Sequence, residues 1–201
     1  MYSKLLTDAP DLPSGISGQI KSLCPCNNST SGTLVIHPDD PTTDFLSAIY
    51  RGKGWDVISD PFLWPEEVAG LISSHDRIIC LGHGSPTGLF GGYGFIVDAS
   101  LVSLLKKKRI VAIWCHADQF VEQHELRGFY SGMFISEFGE AWMCGIEDTD
   151  EQTIKSSNDL FAPVLGKHID SDNILGNVKK EYVKDGDPVV EFNRNRLYSN
   201  I

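Results

Sequence analysis

Short apolar runs alternate with amphipathic stretches from residue 33 onward. Thr33-Leu34-Val35-Ile36-His37 is a β-rich run that stops at Pro38. Thr42 or Thr43 can cap a helix reaching Tyr50, with Phe45, Leu46 and Ile49 on one face. Trp55-Asp56-Val57-Ile58 predicts a second strand, ended by Pro61. Glu66 to Ser73 predicts a second helix, entered after Pro65 and carrying Val68, Leu71 and Ile72. Arg77-Ile78-Ile79-Cys80-Leu81 predicts a third strand, Ser100 to Lys107 a helix with Leu101, Leu104 and Leu105 inward, and Ile110-Val111-Ala112-Ile113-Trp114 a fourth strand. The third and fourth runs are apolar almost throughout, as in a parallel sheet covered on both faces. The repeated strand–helix order predicts a doubly wound α/β domain, its sheet mostly parallel with helices on both faces.

Beyond Cys115 the pattern weakens. Phe129 to Ile135 predicts a fifth strand and Glu137 to Met143 a short helix. Thr149 to Leu165 and Ser171 to Lys184 read as helices, and Val189-Val190-Glu191-Phe192 as an edge strand. Residues 1–32 hold Pro10, Pro13 and Pro25 among scattered glycines and the polar run Asn27 to Ser31. They read as a partly irregular N-terminal arm, leaving 33–201 as a single domain. Cys24-Pro25-Cys26 has no second ligand pair at zinc-site spacing and reads as loop.

Charge narrows the function classes. Lys and Arg number 17 against 27 Asp and Glu, a net charge of −10 in 201 residues. A nucleic-acid binder would carry a basic footprint, and an anionic membrane would attract one, so neither partner is expected. Lys106-Lys107-Lys108-Arg109 is a basic quartet at a predicted helix C-terminus, where cations suit the dipole. Five cysteines make a poor disulfide framework in a chain of this size. The first residues lack the apolar core of a signal peptide, and no run nears the ~18 apolar residues of a membrane span. A cytoplasmic, reducing setting is the expectation.

In open α/β sheets, ligands sit beyond the carboxyl ends of the strands. Gly82-His83-Gly84-Ser85 follows the third strand and Cys115-His116-Ala117-Asp118 the fourth. About 0.6 His-Gly pairs are expected by chance from the composition, so that pair alone means little. Its position carries the signal, because a histidine and a cysteine leave the same sheet edge on adjacent strands. That is the geometry a thiol nucleophile and its base require. His116, beside Cys115, is an alternative base, but neighbouring strand-end side chains diverge. Gly82 to Gly88 lacks the P-loop ending, and His124-Glu125 lacks the second histidine of a metalloprotease, since position 128 is Gly128.

Leu81-Gly82-His83-Gly84-Ser85 followed by Val111-Ala112-Ile113-Trp114-Cys115 resembles the core of the clan CD, caspase-like cysteine peptidases, over roughly residues 33 to 145. The resemblance implies a caspase-like α/β fold and peptide-bond hydrolysis without metal or organic cofactor. It implies Cys115 as nucleophile, His83 as acid/base, and the backbone N–H groups of Gly84 and Cys115 as the oxyanion hole. It implies a peptide or protein as substrate. Glycine at 84 would let substrate backbone approach closely. Relatives that cleave after Arg or Lys often carry an acidic residue two positions before the cysteine, where this chain has Ile113. The caspase pentapeptide around the cysteine is also absent.

Ser85, Asp39, Asp60 and Asp118, with Asp40, are candidate substrate contacts, the aspartates for a basic side chain. Turn geometry alone also favours aspartate at such places. The insert Thr87 to Gly94, with Leu89, Phe90 and Tyr93, reads as a hairpin or flap beside His83. Two other readings stay open: an inactive binding module holding a small ligand or nucleotide in the same crevice, and a metal hydrolase using His83, Cys115 and Asp118. Oligomeric state leaves no mark in the sequence.

Overall fold

The computed structural model describes residues 32–201, so the expected N-terminal arm with Cys24 and Cys26 lies outside the described residues except for Gly32. The main sheet is assembled from β1 (Thr33–Ile36), β2 (Asp56–Ile58) and β3 (Arg77–Leu81), with α1 (Pro65–Ser73) before β3. Three short strands follow, β4 (Gly84–Ser85), β5 (Gly88–Gly91) and β6 (Gly94–Val97). Then come α2 (Val102–Leu105), β7 (Arg109–Ile113), α3 (Ala117–Gln123), β8 (Gly128–Ser131) and α4 (Phe138–Met143). The chain ends in α5 (Glu151–His168), α6 (Ile174–Glu181), α7 (Pro188–Asn195) and β9 (Leu197–Ser199).

The main sheet has the order β2-β1-β3-β7-β8-β9. Every pairing is parallel except the last, β8 with β9. Side chains alternate across it, as strand geometry requires. Leu34, Ile36, Ile78 and Cys80 face one core, into which α1, α2 and α3 send Val68, Ile72, Leu105, Phe120 and Val121. Val35, Ile79, Leu81, Val111 and Ile113 face the other, closed by Leu46, Ile49, Phe161, Leu165, Val178 and Val190. The sheet is therefore covered on both faces, which explains the unbroken apolar runs of β3 and β7. The glycine-rich insert between those strands is a separate three-stranded antiparallel sheet, β4-β5-β6. Among the described residues no helix is long and apolar enough to cross a membrane.

The structure differs from the sequence reading where local hydrogen bonding competes with periodicity. Val189 to Phe192 is not an edge strand but the body of α7. The Asp187 carboxylate accepts from the N–H groups of Val189 and Val190, both at 3.0 Å, and Pro188 occupies the first helical position. An Asp-Pro start outweighs the strand preference of two valines. The edge strand is β9, just beyond. The fifth strand stops at Ser131 rather than Ile135, because both backbone groups of Ile135 are held by the Asn193 side chain, at 2.7 and 2.8 Å.

The first predicted helix is a 3-10 turn, Asp44–Ile49, with no side-chain cap. Thr43 donates instead to the Asp40 carbonyl, and Thr42 turns toward Asp40 and His83. The helix expected over Ser100 to Lys107 is shortened to a 3-10 turn leading into α2. Of the basic quartet, Lys108 docks on the last carbonyls of the α1 end, those of Ser73 and His75.

Candidate active site

β3 and β7 are hydrogen-bonded neighbours, with Leu81 opposite Ile113. The pairing runs one residue past β3, where the Gly82 N–H donates to the Ile113 carbonyl at 3.1 Å. Gly82 has φ +137°, a conformation side chains disfavour. It swings the next residue off the strand axis, so His83 and Cys115 line one small cavity with Thr43, Phe134 and Ser136. Its volume of about 10 Å³ is barely that of one water molecule.

On the imidazole, Nε2 lies 2.6 Å from Thr42 Oγ1, and Thr42 Oγ1 lies 2.7 Å from Asp40 Oδ1. A threonine hydroxyl has one proton. Asp40 accepts it, so the same oxygen accepts from the Nε2–H of His83, and Nδ1 keeps its lone pair. Partial burial pulls the Asp40 carboxyl up, but hydrogen bonds from the Thr42 hydroxyl and N–H outweigh it and hold the group below its ordinary value. The result is an ordered Asp40–Thr42–His83 chain. Glu137 Oε2 lies 3.9 Å from the same nitrogen, Nε2 of His83.

The thiol makes its hydrogen bonds to other groups. Cys115 Sγ is 3.3 Å from the Phe134 carbonyl and 3.3 Å from Glu140 Oε1, and donates to them. Burial, reinforced by the Glu140 carboxylate, pushes it up to about 12. In this arrangement Cys115 is a protonated thiol. His116, next along, is left-handed at φ +67° and stands at the N-cap position of α3 without a side-chain capping bond. Histidine tolerates that region better than most side chains, and such outliers cluster at functional sites. The His116 ring contacts the Gln119 amide, and His116 does not line the cavity of Cys115 and His83.

Packing alone calls for glycine at 84. A Cβ there would lie 2.2 Å from Trp114 Cδ1 and 2.6 Å from the Gly88 carbonyl oxygen. The Trp114 indole fills that space and donates to the Ser85 carbonyl at 3.1 Å. The Phe90 N–H donates to the His83 carbonyl at 2.9 Å, so Gly84 and Leu89 oppose each other as a non-bonded pair. In that register the Gly84 N–H points away from β5.

The expected substrate contacts scatter. Asp39 and Asp40 line a second cavity of about 270 Å³ with Pro61, Phe62, His83 and Phe90. Asp60 instead accepts from the Phe62 N–H at 2.9 Å and orders the turn. Ser85 Oγ accepts from the Thr87 N–H within the hairpin turn. Asp118, in the first turn of α3, does not line the cavity of Cys115 and His83.

The metal trio of His83, Cys115 and Asp118 is not assembled. His83 groups with Glu137 and Glu140 instead, their ligand atoms within 4.8 Å of one another. Glu140 Oε2 already accepts from Ser136 and from the Glu137 N–H, which ties that oxygen to the loop, and Oε1 accepts from Cys115.

Thr42, Ser136, Glu137 and Glu140 were not legible as site residues. Glu137 and Glu140 do form a capping box at the start of α4, a signal readable as a helix start but silent about what lies beside it. No protein-family model matches the chain, and no curated protein or solved structure matches it significantly.

Proposed function

We propose that the chain is a caspase-like cysteine endopeptidase. One observation carries this reading: His83 and Cys115 leave adjacent parallel strands at their carboxyl ends and line one cavity, with the imidazole oriented by Thr42 and Asp40. The Cys115 thiol gives its proton to His83, and Sγ attacks the peptide carbonyl carbon. The C–N bond then breaks as the imidazolium protonates the leaving amine. Water, deprotonated by His83, adds to the thioester and releases the carboxylic acid and the thiol. The outward Gly84 N–H is available to the developing oxyanion, with that of Cys115.

A second reading rests on the thiol. Held by Glu140 and the Phe134 carbonyl and pushed up to about 12, Cys115 has the character of an inert group. That favours a binding module with its ligand in the crevice. For the peptidase reading, substrate must draw Sγ away from Glu140 before attack. Apo geometry in hydrolases is often looser than in the substrate complex.

Incubation of the full chain with a peptide library, read by mass spectrometry, separates the two. Cleavage that disappears in both Cys115→Ala and His83→Ala supports the peptidase. Cleavage that survives Cys115→Ala, or no cleavage together with slow, featureless alkylation of Cys115 across pH 6–9, removes it.

A further inference from the structure

A second histidine lies behind the loop that holds His83. His37 stands one residue beyond β1, and its N–H donates to the Ile58 carbonyl at 2.9 Å, extending the β1–β2 pairing. It is 5% exposed, and both ring nitrogens have partners. Nδ1 lies 2.9 Å from the Tyr50 hydroxyl and Nε2 lies 3.3 Å from Thr43 Oγ1.

Proton counting assigns the tautomer. The Asp40 carbonyl can only accept, and Thr43 Oγ1 donates to it at 3.2 Å. Thr43 has no second proton, so the same oxygen accepts from the Nε2–H of His37. Nδ1 then accepts from the Tyr50 O–H. Burial favours a ring with one proton, pulling His37 below its ordinary value against the Asp44, Asp39 and Asp40 carboxylates. Burial also pushes Tyr50 up, so its hydroxyl keeps the proton it donates.

The same pattern stands on the other side of one turn. Thr42 donates to the Asp40 carboxylate and faces His83 Nε2. Thr43 donates to the Asp40 carbonyl and faces His37 Nε2. Asp40 is gripped twice, each time by a threonine backed by an imidazole. The two ends differ in burial. Thr42 is exposed, and water competes for its bonds, whereas Thr43 is 2% exposed. The buried half, His37 and Thr43, is therefore the firmer anchor of the turn.

We infer that His37 is a positioning residue for His83: by holding Thr43 it fixes the turn at Asp40, and through Asp40 and Thr42 it sets the orientation and tautomer of the His83 ring. His37 lines neither cavity beside His83, so it acts only through other residues. Its effect on turnover rests on the peptidase reading; its effect on the ring does not.

The test reads both rings by ¹⁵N NMR in the full chain. Wild type is expected to show His37 and His83 each protonated on Nε2. His37→Phe keeps a buried ring without the bond to Thr43 and is expected to convert His83 to a tautomer mixture. His37→Gln, whose amide can place an N–H where Nε2–H stood, is expected to keep the wild-type His83 spectrum. Thr43→Val cuts the same link from its other end without changing side-chain shape, so it decides the matter even if His37→Phe does not fold. An unchanged His83 spectrum in Thr43→Val, with or without a lower Tm, leaves His37 a packing role and overturns the inference. So does a wild-type His37 protonated on Nδ1, since that ring donates nothing to Thr43. Where a cleaved peptide is found, Thr43→Val should lower kcat about tenfold with KM unchanged, the low end for a misoriented acid/base. A rise in KM at constant kcat counts against it. If no peptide is cleaved, the spectra still decide the role of His37, and only the peptidase reading falls.

Discussion

Thr42 Oγ1 stands 2.6 Å from Nε2 of His83 and donates its own hydrogen bond to Asp40, so a loop hydroxyl determines which nitrogen of the imidazole is basic. The neutral ring has two tautomers, and only the one with Nε2–H satisfies this arrangement.

Removing that acceptor should release the ring. In Thr42→Val, the ¹⁵N spectrum of His83 is expected to change from the Nε2-protonated tautomer to a mixture, while Thr42→Ser keeps the wild-type spectrum. If the chain hydrolyses peptides, Thr42→Val should lower kcat about tenfold to a hundredfold, the scale of a misoriented general acid/base. An unchanged His83 spectrum in Thr42→Val would show that the hydroxyl does not select the tautomer.

The thiol offers a second handle, because burial and Glu140 push Cys115 up to about 12. Cys144, more open, should alkylate before Cys115 at pH 8 in the free protein, and the fully buried Cys80 last. Glu140→Gln removes the carboxylate charge and should speed Cys115 alkylation roughly tenfold for each pKa unit lowered. The stability consequence has a definite sign. The folded value lies above the ordinary 9.0, so this contribution is intact below pH 9.0 and is lost as pH rises toward 12. Cys80 shares that limb, and Cys115→Ala should flatten it only in part, as read by denaturation midpoints from pH 8 to 11.

That β3 and β7 are neighbours was legible because both are continuous apolar runs, and their ends named His83 and Cys115. Position along one strand is a local property, readable from periodicity. The rest of the crevice is not local. Phe134, Ser136 and Glu140 reach Cys115 because Asn193, 58 residues away, clamps the Ile135 backbone. The segment carrying Asn193 mimics a strand in composition, so its helix, and the wall it supports, could not be read from periodicity. Thr42 looked like a helix cap, which is the commoner use of a threonine at such a place. Only the fold shows that its hydroxyl is spent on an imidazole 41 residues on.

Gly84 tests whether the His-Gly glycine is kept for substrate or for packing. With a Cβ placed 2.2 Å from the Trp114 ring and 2.6 Å from a backbone carbonyl, Gly84→Ala must shift the indole or open the β4–β5 hairpin. A loss of about 2 kcal/mol or more is expected, lowering Tm by roughly 4–8 °C. The near-UV dichroism of Trp114 should change with it. A variant of wild-type stability would show that the indole yields freely, leaving close approach of substrate as the reason for glycine.

Asn193 carries the last prediction. Its amide satisfies both the N–H and the C=O of Ile135 inside the protein, and is itself fully buried. Asn193→Leu leaves those two backbone groups without partners, at about 1–3 kcal/mol each. The neighbouring residue, Phe134, supplies the carbonyl that accepts from Cys115. The variant should therefore lose stability and also expose the thiol, raising Cys115 alkylation relative to Cys144 under native conditions. Ser157→Ala is the matched control: it removes the hydroxyl that bonds Tyr182 at 2.6 Å in the same core and makes no hydrogen bond to Asn193 or Ile135. It should destabilise by about 1–2 kcal/mol while leaving the alkylation ratio unchanged. If both variants raise alkylation in proportion to lost stability, global opening is the cause, and Asn193 has no particular hold on the thiol's wall.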